Sequence, residues 1–229
     1  MKKISFLIFC LIARFTQAQG DSVPLTIQGL DLFKADIASN PSLTMLDITK
    51  FVSGVQIDLK YASKLNFTGK RMYPANTMTS YLRSDVTQAL ATISDELKKQ
   101  DLGLLIWDAY RPYDVTVRFW ELIHDERYVA NPQKGSGHNR GIAVDLSIYR
   151  ISDGRELYMP TGFDDFSEKA HHGYMQLDKE QIQNRELLLN IMEKHGFKRF
   201  TTEWWHYSWP EAEKFPILNL TFKQLKQLQ

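Results

Sequence analysis

The sequence predicts an α+β fold in a single domain, a mixed and mostly antiparallel sheet with flanking helices. Three observations carry this. Short strand-like runs and helical-period segments follow one another in mixed order rather than in strict alternation. No internal repeat, low-complexity tract or interdomain linker divides the chain. Of 229 residues, 43% are hydrophobic and 12% aromatic, enough to build one sizeable core.

Residues 1–18 read as an export signal, leaving residues 19–229 as the domain. Lys2 and Lys3 give the charged start, residues 4–13 a short apolar stretch, and Thr16-Gln17-Ala18 a small-residue cleavage site. That stretch is too short to span a bilayer, so no stable membrane anchor is expected. Leu7-Ile8-Phe9 lacks the small residue that a lipid-attachment site at Cys10 would want. Export to a periplasm is the expected location. Cys10, the one cysteine, falls inside the signal, which removes disulfides, thiolate ligands and a cysteine nucleophile from the mature chain.

Residues 19–50 give the weakest pattern. Val55, Ile57 and Leu59 then alternate as a strand. Asp85 with Gln88 resembles a capping box, followed at helical spacing by Val86, Ala89, Leu90, Ile93 and Leu97. Leu104-Leu105-Ile106-Trp107 reads as a buried strand that opens into a turn at Pro112 and delivers Arg111. Residues 113–124 suggest a helix with Val117, Trp120 and Ile123 inward and His124 at the surface. Gly135, Gly137 and Gly141 make a tight loop that carries His138 over the next strand, where Val144, Leu146 and Ile148 face the core and Asp145 points the other way. Asp178 with Gln181 opens a helix that ends at Gly196, with Ile182, Leu188, Leu189 and Met192 on its apolar side and His195 at its C-terminus.

The last informative segment is residues 201–207. If it were a plain strand, Glu203 and Trp205 would share one face, and Trp204 and His206 the other. Glu203 and His206 could then converge only through a bend or bulge, and bulges do cluster where side chains must be re-aimed at a site.

His138, Asp145 and His206 offer two imidazoles and a carboxylate, a donor set that suits a catalytic zinc with an open fourth position, and Glu203 would stand beside it as a base. Each half alone also reads blandly, as a chance His/Asp spacing and as core tryptophans. Arg111 suits a developing oxyanion or a carboxylate; its structural alternative is an ion pair with Asp108 or Asp114. The net charge of +1 and the lack of a strongly basic patch argue against a nucleic-acid partner.

The run Ser136-Gly137-His138-Asn139-Arg140-Gly141-Ile142-Ala143-Val144-Asp145 followed by Glu203-Trp204-Trp205-His206 resembles the zinc D-alanyl-D-alanine dipeptidases. Asp58-Leu59-Lys60-Tyr61-Ala62, Asn66-Phe67-Thr68-Gly69-Lys70, Trp107-Asp108-Ala109-Tyr110-Arg111-Pro112 and Phe163-Asp164 agree in the same order. The resemblance implies one zinc per subunit on His138, Asp145 and His206, with Glu203 as catalytic base and Arg111 as an essential arginine. It further implies Asp164, or its neighbour Asp165, at the substrate ammonium with Tyr61 close by, and Ser136 directed to the substrate carboxylate. The implied fold is shared with zinc D-Ala-D-Ala carboxypeptidases and the hedgehog amino-terminal domain.

The implied reaction is hydrolysis of the free dipeptide D-Ala-D-Ala, so the expected partner is a small dipeptide. One alternative is an exported D,D- or L,D-carboxypeptidase or endopeptidase acting on peptidoglycan stem peptides; another is a zinc-bearing binding module without activity. A carboxylate at Asp164 would be idle on a substrate lacking a free amine there. Gly137 and Asn139 fall at variable places of the motif, where substitution is expected to do little. Met159-Pro160-Thr161-Gly162 departs from the pattern and is expected to alter the loop at the ammonium end, while His171 and His172 are expected to be supports. The oligomeric state is not legible.

Overall fold

A computed structural model describes residues 25–229. The export signal therefore lies outside the described residues. The centre of the fold is a five-stranded sheet of β1 (Gln56–Ile57), β2 (Leu102–Asp108), β3 (Ala143–Arg150), β4 (Lys198–Phe200) and β5 (Glu203–Ser208), in the order β1-β2-β3-β5-β4. Only β1 runs parallel to its neighbour; β2 with β3, β3 with β5 and β4 with β5 are antiparallel. Helices α1 (Leu30–Ser39), α2 (Ser84–Lys98), α3 (Tyr113–Ile123), the single turn α4 (Gly137–Arg140) and α5 (Lys179–Lys194) complete the α+β arrangement.

One sheet face, built from Leu104, Ile106, Val144, Leu146 and Ile148, packs with Val86, Leu90, Ile93 and Leu97 of α2 and Leu188, Leu189 and Met192 of α5. Each of these fully buried aliphatics contributes about 1.5–3 kcal/mol. A second cluster is aromatic: Phe33, Tyr61, Tyr73, Tyr81, Tyr110, Phe119 and Phe222. Phe163 packs against both clusters, and the candidate site opens at that junction.

Four elements depart from the sequence reading. The alternation at residues 55–59 yields only the two-residue β1, because the chain turns into a 3-10 turn at Lys60–Ala62. Helix α2 starts at Ser84 without the Asp85/Gln88 box. Arg83 holds its N-cap position in extended geometry, and its guanidinium donates to the carbonyls of Leu43, Arg140 and Pro216, so the entry to the helix is fixed from outside it. In α3 the buried face is Val115, Thr116 and Phe119, with Val117, Trp120 and Ile123 half-buried; the ring of Phe119 meets Tyr61 and Phe67, which turns the helix by part of a turn. Strand β3 is covered on both faces rather than one, because its polar side carries the candidate site. The box predicted at Asp178 and Gln181 does form and opens α5.

Candidate active site

His138 rides on α4, a capped turn of helix where the three glycines predict a tight loop. Ser136 is its N-cap: the hydroxyl oxygen accepts from the His138 amide at 3.2 Å, and the Asn139 side chain accepts from the Ser136 amide at 3.0 Å. Gly141 ends the turn at φ 70°, a region that only glycine enters freely. A Cβ on Gly137 would lie 2.9 Å from the Ala143 Cβ, so the close approach of α4 to β3 requires glycine there. Residue 137 is therefore constrained, against the expectation that its substitution does little.

Asn139 corrects that expectation more sharply. It is fully buried, and its amide donates to the Arg111 carbonyl at 2.8 Å and to the Thr116 hydroxyl at 2.8 Å. The Arg111 amide donates back to the His138 carbonyl at 3.1 Å. One side chain thus ties the turn that bears His138 to the turn that bears Arg111.

Asp145 projects from β3 opposite His206 on β5. Between β4 and β5 the register breaks: the single step from Arg199 to Phe200 is matched by the stretch from Tyr207 back to Glu203. This bulge is the bend that the alternation of residues 201–207 demanded. It brings a Glu203 carboxylate oxygen to 3.9 Å from His206 Nδ1.

The donor atoms of His138, Asp145 and His206 lie within 4.8 Å of one another, the only such cluster of three among the described residues. His206 Nδ1 stands 2.8 Å from Asp145 Oδ1 and 3.3 Å from His138 Nε2, which is itself 3.4 Å from Asp145 Oδ2. His138 Nδ1 is 2.7 Å from the Ala109 carbonyl. Donation there fixes the tautomer and leaves Nε2 as a lone-pair donor into the cluster. Two imidazole nitrogens and one carboxylate, with a backbone carbonyl behind one ring, fit a zinc ion. Burial opposes ionisation of Asp145, but His138 and His206 more than reverse this and hold its carboxyl below the usual carboxylate range. Burial raises Glu203 above its ordinary value, with His206 opposing.

Arg111 makes the ion pair of its structural reading and also borders the cavity. Its guanidinium donates to Asp108 Oδ2 from Nε at 3.1 Å and from Nη2 at 2.6 Å, while also lining the cavity beside the cluster. It stays protonated: burial would lower it, but the Asp108 charge prevails. Asp108 is fully buried and also accepts from the Tyr73 hydroxyl at 2.6 Å and the Ala109 amide at 3.0 Å. Phe119 and Tyr61 present their rings to the guanidinium at 4.9 and 5.4 Å.

Of the two neighbouring acids, Asp164 lines the cavity; Asp165 accepts from the Ser167 amide outside it. The Tyr61 hydroxyl is 3.1 Å from both Asp164 oxygens. Asp164 adopts φ 58°, which aspartate tolerates better than most residues. Burial first, and then the Asp145 charge, push its carboxyl well above the carboxylate range. Ser136 lines the same cavity, of about 210 Å³. All eight sequence-selected residues border it.

Other expectations divide. Met159 to Gly162 does not line the cavity. Thr161 instead accepts from the Trp204 indole at 2.9 Å, and the Met159 and Pro160 carbonyls accept from Gln181, which pins this stretch to β5 and α5. His195 bonds Glu96 at 3.0 Å from the C-terminus of α5. His172 is buried, and neither of its ring nitrogens has a partner. Sequence reasoning missed Asn139, Tyr73, and the aromatic lining of Phe67, Tyr128 and Phe166. Asp108 was visible three residues before Arg111, but only as a rival explanation for it.

A family described as D-ala-D-ala dipeptidase matches residues 41–227. A D-alanyl-D-alanine dipeptidase of Escherichia coli is 35% identical over 174 residues, covering 76% of this chain and 89% of the relative. One from Enterococcus faecium is 34% identical over 184 residues, covering 72% and 89%. Among solved structures, VanYB in complex with D-Alanine-D-Alanine aligns at 15% identity and a TM-score of 0.39, over 59% of this chain and 75% of that one.

Proposed function

The chain belongs to the D-ala-D-ala dipeptidase family, and from that premise we propose that it hydrolyses the free dipeptide D-Ala-D-Ala to two molecules of D-alanine in a zinc-dependent reaction. The observation that carries the reading is the convergence of His138, Asp145, His206 and Glu203 on one cavity that also holds Arg111 and Asp164. Zinc bound by His138, Asp145 and His206 supplies a Lewis acid for the scissile carbonyl and acidifies water.

Every other task falls to the chain's own residues. Glu203 takes a proton from the attacking water and returns it to the leaving amine, a task suited to a carboxyl that burial raises above its ordinary value. Arg111 offers fixed donors to the negative charge that develops on the carbonyl oxygen, held in place by Asp108. Asp164, with Tyr61 beside it, receives the substrate ammonium. That ammonium restores the carboxylate form, which burial by itself disfavours. The Ser136 hydroxyl, whose oxygen caps α4, still has its proton to donate to the substrate carboxylate.

The chain acts outside the cytoplasm after removal of residues 1–18, on small peptides in the cell envelope. Residues 2–18 support this by their charged, apolar and small-residue regions. Cell fractionation of the full-length protein checks it: a cytoplasmic, unprocessed chain would overturn the proposal.

The test of the activity is D-alanine release by the purified, zinc-loaded protein from D-Ala-D-Ala and, side by side, from N-acetyl-D-Ala-D-Ala, with Glu203→Ala as control. Hydrolysis of the free dipeptide alone, lost in the variant, is expected. Hydrolysis of the acylated peptide would move the enzyme to stem-peptide trimming, and inactivity on both with zinc bound would make it a binding module.

A further inference from the structure

The cavity that holds Asp164 also carries an aromatic wall that hydrolysis itself does not require. Phe166, two residues beyond Asp164, packs edge-on against Phe67, with ring centroids 5.3 Å apart and planes at 84°. On its other side it meets Tyr128 at 4.9 Å. Tyr128 comes from a different segment, the connection between α3 and α4, so two separate loops meet at this ring pair. Phe67, Phe166 and Tyr128 all border the same cavity as Asp164. Arg127 braces this contact: its guanidinium lies 5.2 Å from the Tyr128 ring and is held by Asp125 through Nη2 at 2.6 Å.

On the dipeptidase reading, the substrate amine rests on Asp164 and the scissile bond on the zinc ligands. Anything attached to that amine must therefore extend past Asp164, away from the ligands and into the space these rings hold. We propose that Phe166 and Tyr128 form a removable aromatic stop that restricts this enzyme to substrates with a free amine, excluding N-acylated and longer peptides. The stop is separable from the chemistry. Neither residue belongs to the ligand set or to the Glu203 and Arg111 machinery, and Tyr128 is 38% exposed, so trimming it removes exposed surface rather than collapsing a core.

The experiment compares zinc-loaded wild type, Tyr128→Ala, Phe166→Ala and the double variant on D-Ala-D-Ala and N-acetyl-D-Ala-D-Ala. The acylated-to-free ratio of kcat/KM is expected to rise by about tenfold or more in the double variant, the scale on which pocket volume discriminates substrates. Tyr128→Phe, which keeps the ring, should keep the wild-type ratio. Binding gives a second readout: calorimetry in a Glu203→Gln background should detect N-acetyl-D-Ala-D-Ala only once both rings are trimmed. An unmoved ratio together with normal hydrolysis of the free dipeptide would sink the stop alone, as would binding of the acylated peptide by the untrimmed protein. Failure of wild type to hydrolyse the free dipeptide would instead sink the activity on which the stop rests.

Discussion

Asn139→Ala removes three hydrogen bonds at once and leaves the Arg111 carbonyl, the Thr116 hydroxyl and the Ser136 amide short of a partner. A hydrogen bond contributes about 0.5–1.5 kcal/mol net, and an orphaned buried group costs about 1–3 kcal/mol. Water can reach part of the vacated space and donate to the Thr116 hydroxyl oxygen in place of the amide, so the three losses do not add in full. A destabilisation of about 3 kcal/mol follows, with about 2–4 kcal/mol as the range. With a urea slope near 2 kcal/mol/M, the unfolding midpoint should fall by about 1.5 M. Activity should fall further than stability explains, because the turn bearing His138 and the turn bearing Arg111 lose their common tie. Asn139→Asp sharpens the test: it keeps the acceptor for the Ser136 amide but turns a carboxylate oxygen toward the Arg111 carbonyl, so it should be at least as damaging. A midpoint shift below about 0.3 M for Asn139→Ala would refute the reasoning and return position 139 to the variable status its place in the motif suggests.

Two further outcomes follow from the same geometry. Burial first, and then Arg199 and Arg185, push His172 down to about 4. Between its ordinary value of about 6.5 and 4, the unfolded chain therefore takes up a proton that the folded protein refuses. The stability contributed by His172 is full above pH 6.5, drains away as pH falls toward 4 and is flat below. Urea unfolding at pH 7 and pH 5 should show wild type losing about 1–2 kcal/mol more than His172→Phe, and equal losses would remove His172 from the account. Metal removal is the second outcome. Zinc holds together three elements that otherwise place two imidazoles and a carboxylate in close quarters, so chelation should lower the melting temperature and zinc restore it. His206→Ala should flatten that dependence, and an unchanged one would separate the cluster from the metal.

What the sequence disclosed was local chemistry and periodicity. The box at Asp178 and Gln181 was legible because both partners lie within one helical turn, and the bulge in β5 because strict alternation could not serve Glu203 and His206 together. The false box at Asp85 shows the limit: Arg83 decides that helix start through carbonyls contributed by residues 43, 140 and 216. The inward face of α3 was misjudged because its register depends on Tyr61 and Phe67, some fifty residues away in the chain. Asn139 was missed for the same reason. Nothing in its own neighbourhood reveals that Arg111 and Thr116 will be brought to its amide.

The hydrogen bond behind His138 has an acceptor with no side-chain identity at all. The Ala109 carbonyl, part of the turn that also delivers Arg111, selects which imidazole nitrogen is free. A saturation scan at position 109 would therefore register crowding alone, since the fully buried methyl group leaves no space for growth. Any residue small enough to be tolerated there would transmit the same instruction to the ring. Proton placement in this site is inherited through the main chain, where point mutation has the least purchase.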